Sequence, residues 1–167
     1  MDKKHLKDIR LNSENKYEYM GDVFTWESTP KNIVLLCVFS AVCFLAEVAA
    51  GLVPDSGADG RPWIMIPFII AMIMSVILVW RVGSLFFVKK KGAKAFIKNK
   101  IENWLPASSF LVGLNGAICV IASLIIGKVS WLFLVCQILA FVSGVGAKIL
   151  VKKIVWKKNF KKGEENN

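Results

Sequence analysis

Residues 63–83 read WIMIPFIIAMIMSVILVWRVG. Between Trp63 and Trp80 no residue carries a charge. A helix of about 20 apolar residues crosses a hydrocarbon core of about 30 Å. Pro67 falls in the first turns, where a missing N–H is tolerable. Indole side chains favour the headgroup zone, so Trp63 and Trp80 bracket the crossing. Backbone groups in lipid must be bonded within their own segment, and the stretch therefore reads as a transmembrane helix.

Three further runs have the same character. They cover residues 33–53, 106–126 and 130–150. Trp26 precedes the first, Trp104 precedes the third, and Trp131 and Trp156 flank the fourth. The apolar fraction of 55% and the mean hydropathy of +0.53 fit this reading and exceed what a soluble domain of 167 residues usually shows. The expected fold class is all-α: a polytopic membrane protein with a bundle of four transmembrane helices.

The net charge is +10. A basic chain raises the question of nucleic acid, but here the cations lie between apolar runs, the pattern of a membrane protein oriented by its loops. Of the 22 Lys and Arg residues, all but Arg61 and Lys128 lie in the two tails, in the connection between spans two and three, or at the inner ends of spans two and four. The positive-inside rule then places both termini and the middle connection in the cytoplasm of a multi-pass cell-membrane protein. No nucleic-acid partner is expected. The bilayer itself and anionic inner-leaflet lipids are, and so is a homo-oligomer or a larger membrane complex. Val48-Ala49-Ala50 before Gly51 loosely resembles a signal-peptidase site, but the long charged leader and the adjacent Glu47 argue for an uncleaved span.

The domain reading follows. Residues 1–32 form a cytoplasmic tail, 33–150 the transmembrane domain, and 151–167 a basic cytoplasmic tail. The first dozen residues read as frayed or weakly helical. Within the first tail, Tyr17, Tyr19, Phe24 and Trp26 flank Gly21-Asp22. That turn predicts a β-hairpin over 15–28, pairing Tyr19 with Phe24 and Tyr17 with Trp26 and gathering four rings on one face. Between spans two and three, Ala93, Phe96, Ile97, Ile101 and Trp104 alternate at helical spacing with Lys91, Lys94 and Lys98. This predicts a basic amphipathic segment on the inner leaflet, with a plain extension of span two as the competing reading. A faint repeat aligns Trp63, Ser75 and Lys89-Lys90 with Trp131, Ser143 and Lys157-Lys158.

Glu47 is the acidic residue inside a span, and an intramembrane carboxyl is a functional candidate by default. It lies about 9 Å below the outer end of span one. Ser40, Cys43, Ala50 and Gly51 share its face, which is expected to point into the bundle. Gln137 in span four sits at similar depth, within reach of a hydrogen bond. Glu47, Gln137 and Asn115 are therefore the candidate proton, cation or structural polar site. Ser109, Gly116 and Ser123, at seven-residue spacing in span three, read as a helix-packing face. Cys37, Cys43, Cys119 and Cys136 all lie in spans and read as small apolar core residues. Asp55 and Asp59 lack the ligand spacing of a calcium loop. There is no catalytic set, phosphate loop or zinc spacing, so no enzyme activity, cofactor or metal is expected.

Two resemblances bear on function. Leu45-Ala46-Glu47-Val48 resembles the first helix of small multidrug resistance transporters, whose glutamate couples proton and drug. Ser143-Gly144-Val145-Gly146 resembles a motif of their third helix, although here it stands in the fourth span. The long basic connections also depart from that family. Tyr17-x-Tyr19-x-Gly21-Asp22-Val23-Phe24, Ala50-Gly51-Leu52 and Arg61-x-Trp63 leading to Pro67 are similar to small four-span integral membrane proteins of Firmicutes. That group has no known function, so the resemblance implies a fold and no activity. The expected role is a non-enzymatic accessory, regulatory or scaffolding subunit of a membrane complex. The alternative is a small proton- or cation-coupled transporter using Glu47.

Overall fold

The computed structural model describes residues 9–11, 17–19, 22–54, 56, 58 and 60–159. In chain order the elements are β1 (Ile9–Leu11), β2 (Tyr17–Tyr19), β3 (Val23–Glu27), α1 (Pro30–Gly51), α2 (Pro62–Lys91), β4 (Ala93–Lys94), α3 (Ala95–Ile126), α4 (Trp131–Val151) and β5 (Val155–Asn159). All four helices are long and apolar enough to cross a membrane. The protein is a multi-pass four-helix bundle with small β elements.

Local sequence explains the helix ends. Pro30 and Pro62 open α1 and α2, where a residue without an N–H loses nothing and its fixed φ suits the first turn. Gly127 closes α3 in a left-handed conformation, φ 68°, and its N–H bonds the Ser123 carbonyl. Gly92 ends α2 with φ 73°, and a Cβ there would run into Val23. Only glycine suits that turn.

The helices form a ring in the order α1, α2, α3, α4, with α4 returning to α1 and with α1–α2 the thinnest seam. Two apolar clusters fill it. One runs from Cys43, Ala46 and Ala140 through Leu78, Val82 and Val112 to Leu85, Ile101, Leu105 and Trp26. The other joins Ala50, Ala58, Ile64, Phe133 and Cys136 at the opposite end.

The end of the bundle that carries the strands differs from expectation. Spans two and three extend well past residues 83 and 106: α2 runs to Lys91 and α3 starts at Ala95, so their connection is a tight turn. The competing reading, an extension of span two, holds only to Lys91; residues 95–104, expected as an amphipathic segment on the leaflet, are instead the first turns of α3. Ile101 and Leu105 are buried and Ile97 packs against the same core, so this part of α3 buries its stripe in the protein. Phe96 and Trp104 stay exposed. Helix α3 also passes through Pro106, which removes one backbone hydrogen bond from its interior.

The hairpin over 15–28 does not form. Strand β2 pairs with β1, with Tyr19 opposite Ile9 and Tyr17 opposite Leu11. Strand β3 pairs with two distant segments: Phe24 opposite Ala93 in β4 and Lys158 in β5, and Trp26 opposite Trp156. Residues 9–11 are thus strand, and part of the basic 151–167 tail is the sheet's edge. Gly21 lies outside the described residues. The physical reason is burial: a lone hairpin is marginal, whereas β3 lies against the helix ends. Trp26 is 2% exposed, and its indole N–H donates to the Leu85 carbonyl at 2.7 Å. It is a core residue and not an interfacial anchor, and Trp156 packs beside it. Trp63, Trp80, Trp104 and Trp131 keep the exposed positions expected of anchors. The internal repeat holds as far as Ser75 and Ser143, both buried, and then breaks: Lys89 is in α2 and Lys157 in β5.

Candidate functional site: a buried carboxyl and amide

Glu47 on α1 and Gln137 on α4 are both fully buried, and Gln137 Nε2 donates to Glu47 Oε2 at 3.1 Å. Their meeting follows from the antiparallel register of α1 and α4. Cys43 Sγ approaches the Ala140 carbonyl at 3.7 Å, one turn along. One turn further, a Cβ on Gly146 would strike the Phe39 ring at 2.6 Å, so the glycine admits that ring and seats the two helices.

The pair sits at the junction of the two apolar clusters. Cys43, Ala46 and Ala140 border it on one side, and Ala50, Phe133 and Cys136 on the other. The loop before α2 closes the bundle beyond it. The Ser56 carbonyl accepts the Ser130 N–H at 2.7 Å, and the Ala58 N–H bonds Ser56 Oγ at 3.2 Å. Ser56 and Ala58 are buried.

One hydrogen bond does not satisfy this pair. Glu47 Oε1 and Gln137 Oε1 are both buried acceptors with no donor among the described residues. A buried polar group left unpaired costs about 1–3 kcal/mol. A proton on the Glu47 carboxyl would remove one of the two unmet demands. Three buried cysteines stand on the helices around the pair: Cys43 one turn before Glu47 on α1, Cys136 next to Gln137 on α4, and Cys119 on α3. Cys119 Sγ is itself 3.6 Å from the Ile64 carbonyl on α2. No group of three or more His, Cys, Asp or Glu able to hold a metal ion occurs among the described residues. The sequence places Cys43 on the Glu47 face; that Cys136 and Cys119 are buried on the neighbouring helices is added by the structure. Cys136 beside Gln137 was the available signal.

The third candidate, Asn115, joins neither residue by a hydrogen bond. Its Nδ2 donates to the Leu111 carbonyl of its own helix at 2.8 Å. Ser109, Gly116 and Ser123 are the packing side of α3. A Cβ on Gly116 would lie 3.2 Å from the Gln137 carbonyl and 3.2 Å from the Phe141 nitrogen. The contact tightens where α3 and α4 cross. A Cβ on Gly144 would lie 2.7 Å from Gly113 N and 3.1 Å from the Ser109 carbonyl. Gly116 thus lets the α3 backbone lie against the turn of α4 that carries Gln137. Ser109 Oγ bonds the Leu105 carbonyl at 2.8 Å, while Ser123 Oγ is buried without a partner among the described residues.

Comparison with known proteins finds no match to this chain among protein-family models, curated proteins or solved structures.

Proposed function

We propose that the protein is a non-enzymatic subunit of a membrane complex, with both termini in the cytoplasm and the β4–β3–β5 sheet as its docking platform. The observation that carries this reading is the sheet. Three segments far apart in the sequence converge at one end of the bundle, in the order β4–β3–β5, and Trp26 pins them to α2. Lys89, Lys94, Lys157 and Lys158 are exposed there. Glu27 and Asp22 hold Lys157 and Lys158 at 2.6 and 2.8 Å, which stiffens the β3–β5 pair. A closed bundle with an organised, basic end suits holding a partner better than passing a substrate. The lysine bias supports the cytoplasmic assignment of that end.

The test uses the full-length protein extracted in mild detergent. A stoichiometric partner should accompany it and be lost on Lys157→Glu with Lys158→Glu. A chain that purifies alone in both forms overturns the reading. Orientation is checked separately: Lys128→Cys should react with an impermeant thiol reagent in intact cells, and Lys94→Cys should not.

The orphaned oxygens support a second reading, a proton- or cation-coupled transporter. Glu47→Gln would keep the fold and abolish transport. Unchanged transport in that variant removes this reading.

A further inference from the structure

The lipid-facing side of α2 and α3 carries a groove of 420 Å³ lined by Val76, Ile77, Trp80, Arg81, Lys100 and Trp104. Its parts are sorted by depth. Trp63 and Arg81 are about 27 Å apart along α2 at 1.5 Å per residue, close to the hydrocarbon thickness of about 30 Å. Arg81 therefore stands at headgroup level, and the rest of α2 projects beyond it. Val76 and Ile77 lie one turn deeper, in the acyl region. Trp80 and Trp104, 76% and 48% exposed, form the two walls.

The charges in the groove are uncompensated. Two of the six lining residues are cations and none is an anion. Arg81 Nε is shielded from solvent and has no hydrogen-bond partner among the described residues. The nearby acid, Glu102, is paired with Lys98 at 3.4 Å. A guanidinium fork matches a phosphodiester, and an ammonium beside it adds a second point charge.

We propose that this groove binds one phospholipid with a net anionic headgroup, its phosphate between Arg81 and Lys100 and an acyl chain against Val76 and Ile77. The two indoles flank the glycerol region, the depth that indoles prefer. With two cations and no acid in the lining, net charge favours an anionic headgroup over a zwitterionic one. The inference needs only that the four helices span a bilayer, and it stands whether or not the sheet docks a partner.

The full-length protein in phosphatidylcholine nanodiscs doped with phosphatidylglycerol provides the test, with retained lipid counted by native mass spectrometry. One phosphatidylglycerol should remain per chain, enriched over phosphatidylcholine. Arg81→Gln with Lys100→Gln should reduce the enrichment about thirty-fold, about five-fold per cation. Lys100→Gln alone changes an exposed side chain, cannot compromise the core, and should give the five-fold step. Lys152→Gln with Lys153→Gln, at the same end but outside the groove, should leave retention unchanged. Equal retention of phosphatidylcholine, unchanged retention in the double groove variant, or an equal loss in the Lys152/Lys153 control would each overturn the proposal. So would a dimer closing over the groove and excluding lipid.

Discussion

Two sets of buried polar residues lie on either side of the α3–α4 seam, and they are satisfied differently. On α3, Ser108, Ser109 and Asn115 each donate to a carbonyl three or four residues back in their own helix, while Ser123, a single rotatable hydroxyl, is the exception with no partner among the described residues. Those three need no other helix to stay bonded. Between α1 and α4, Glu47 and Gln137 depend on each other and still leave two acceptors open. Polar side chains that bond locally can move with their helix and serve as small spacers. A pair that bonds only across helices fixes a register and keeps an unmet demand for a proton or cation. The difference separates a packing face from a candidate site, although both consist of polar residues within an apolar span.

The strongest way to break this contrast is to fill the packing face. Gly144→Ala places a methyl against the Gly113 backbone, which cannot rotate away as a side chain could. We expect a loss of about 2 kcal/mol, read from reversible unfolding in mixed micelles. A silent substitution would show that the α3–α4 crossing is loose and that the small residues do not set it.

Next in size is Gln137→Leu, which removes the one donor to Glu47 and leaves the carboxyl unpaired. A loss of about 1–2 kcal/mol is expected in the same assay. Glu47→Leu should cost roughly 1 kcal/mol, the order found for intramembrane hydrogen bonds. The double variant should cost less than the sum, since the second change strands nothing that the first has not already stranded. Additive losses would mean that the pair is not energetically coupled.

Glu47→Gln keeps size and bonding capacity and should shift stability by less than about 0.5 kcal/mol. It sharpens the contrast through function: an inactive but stable protein marks a proton or cation site, and an active one marks a structural bond. The smallest effect belongs to α3. Ser109→Ala removes a hydroxyl whose acceptor carbonyl remains within its own helix, and should change stability by no more than about 0.5 kcal/mol. A loss as large as that of Gln137→Leu would erase the distinction between the two sets.

Four spans, the limits of the first and fourth and the inward direction of Glu47 were legible because each follows from a single segment. Hydrophobic length states a span, and helical period states which residues share a face. The meeting of Glu47 with Gln137 was also within reach, since equal depth in neighbouring antiparallel helices leaves few alternatives. The self-bonding of Asn115 and the two unpaired oxygens were not legible. They depend on rotation of one helix against another by fractions of a turn.

The sequence by itself determined that this chain crosses a membrane four times, because lipid requires each run to bond its own backbone. The tertiary structure decided the rest. Strand β3 finds its partners some 70 and 130 residues away through backbone pairing, which carries no strong side-chain signature. Trp26 leaves the interface because the Leu85 carbonyl and the apolar floor beneath the sheet accept it. Among the described residues the carboxyl of Glu47 has one donor, Gln137 on another helix, a property of how four helices pack and of no one of them alone.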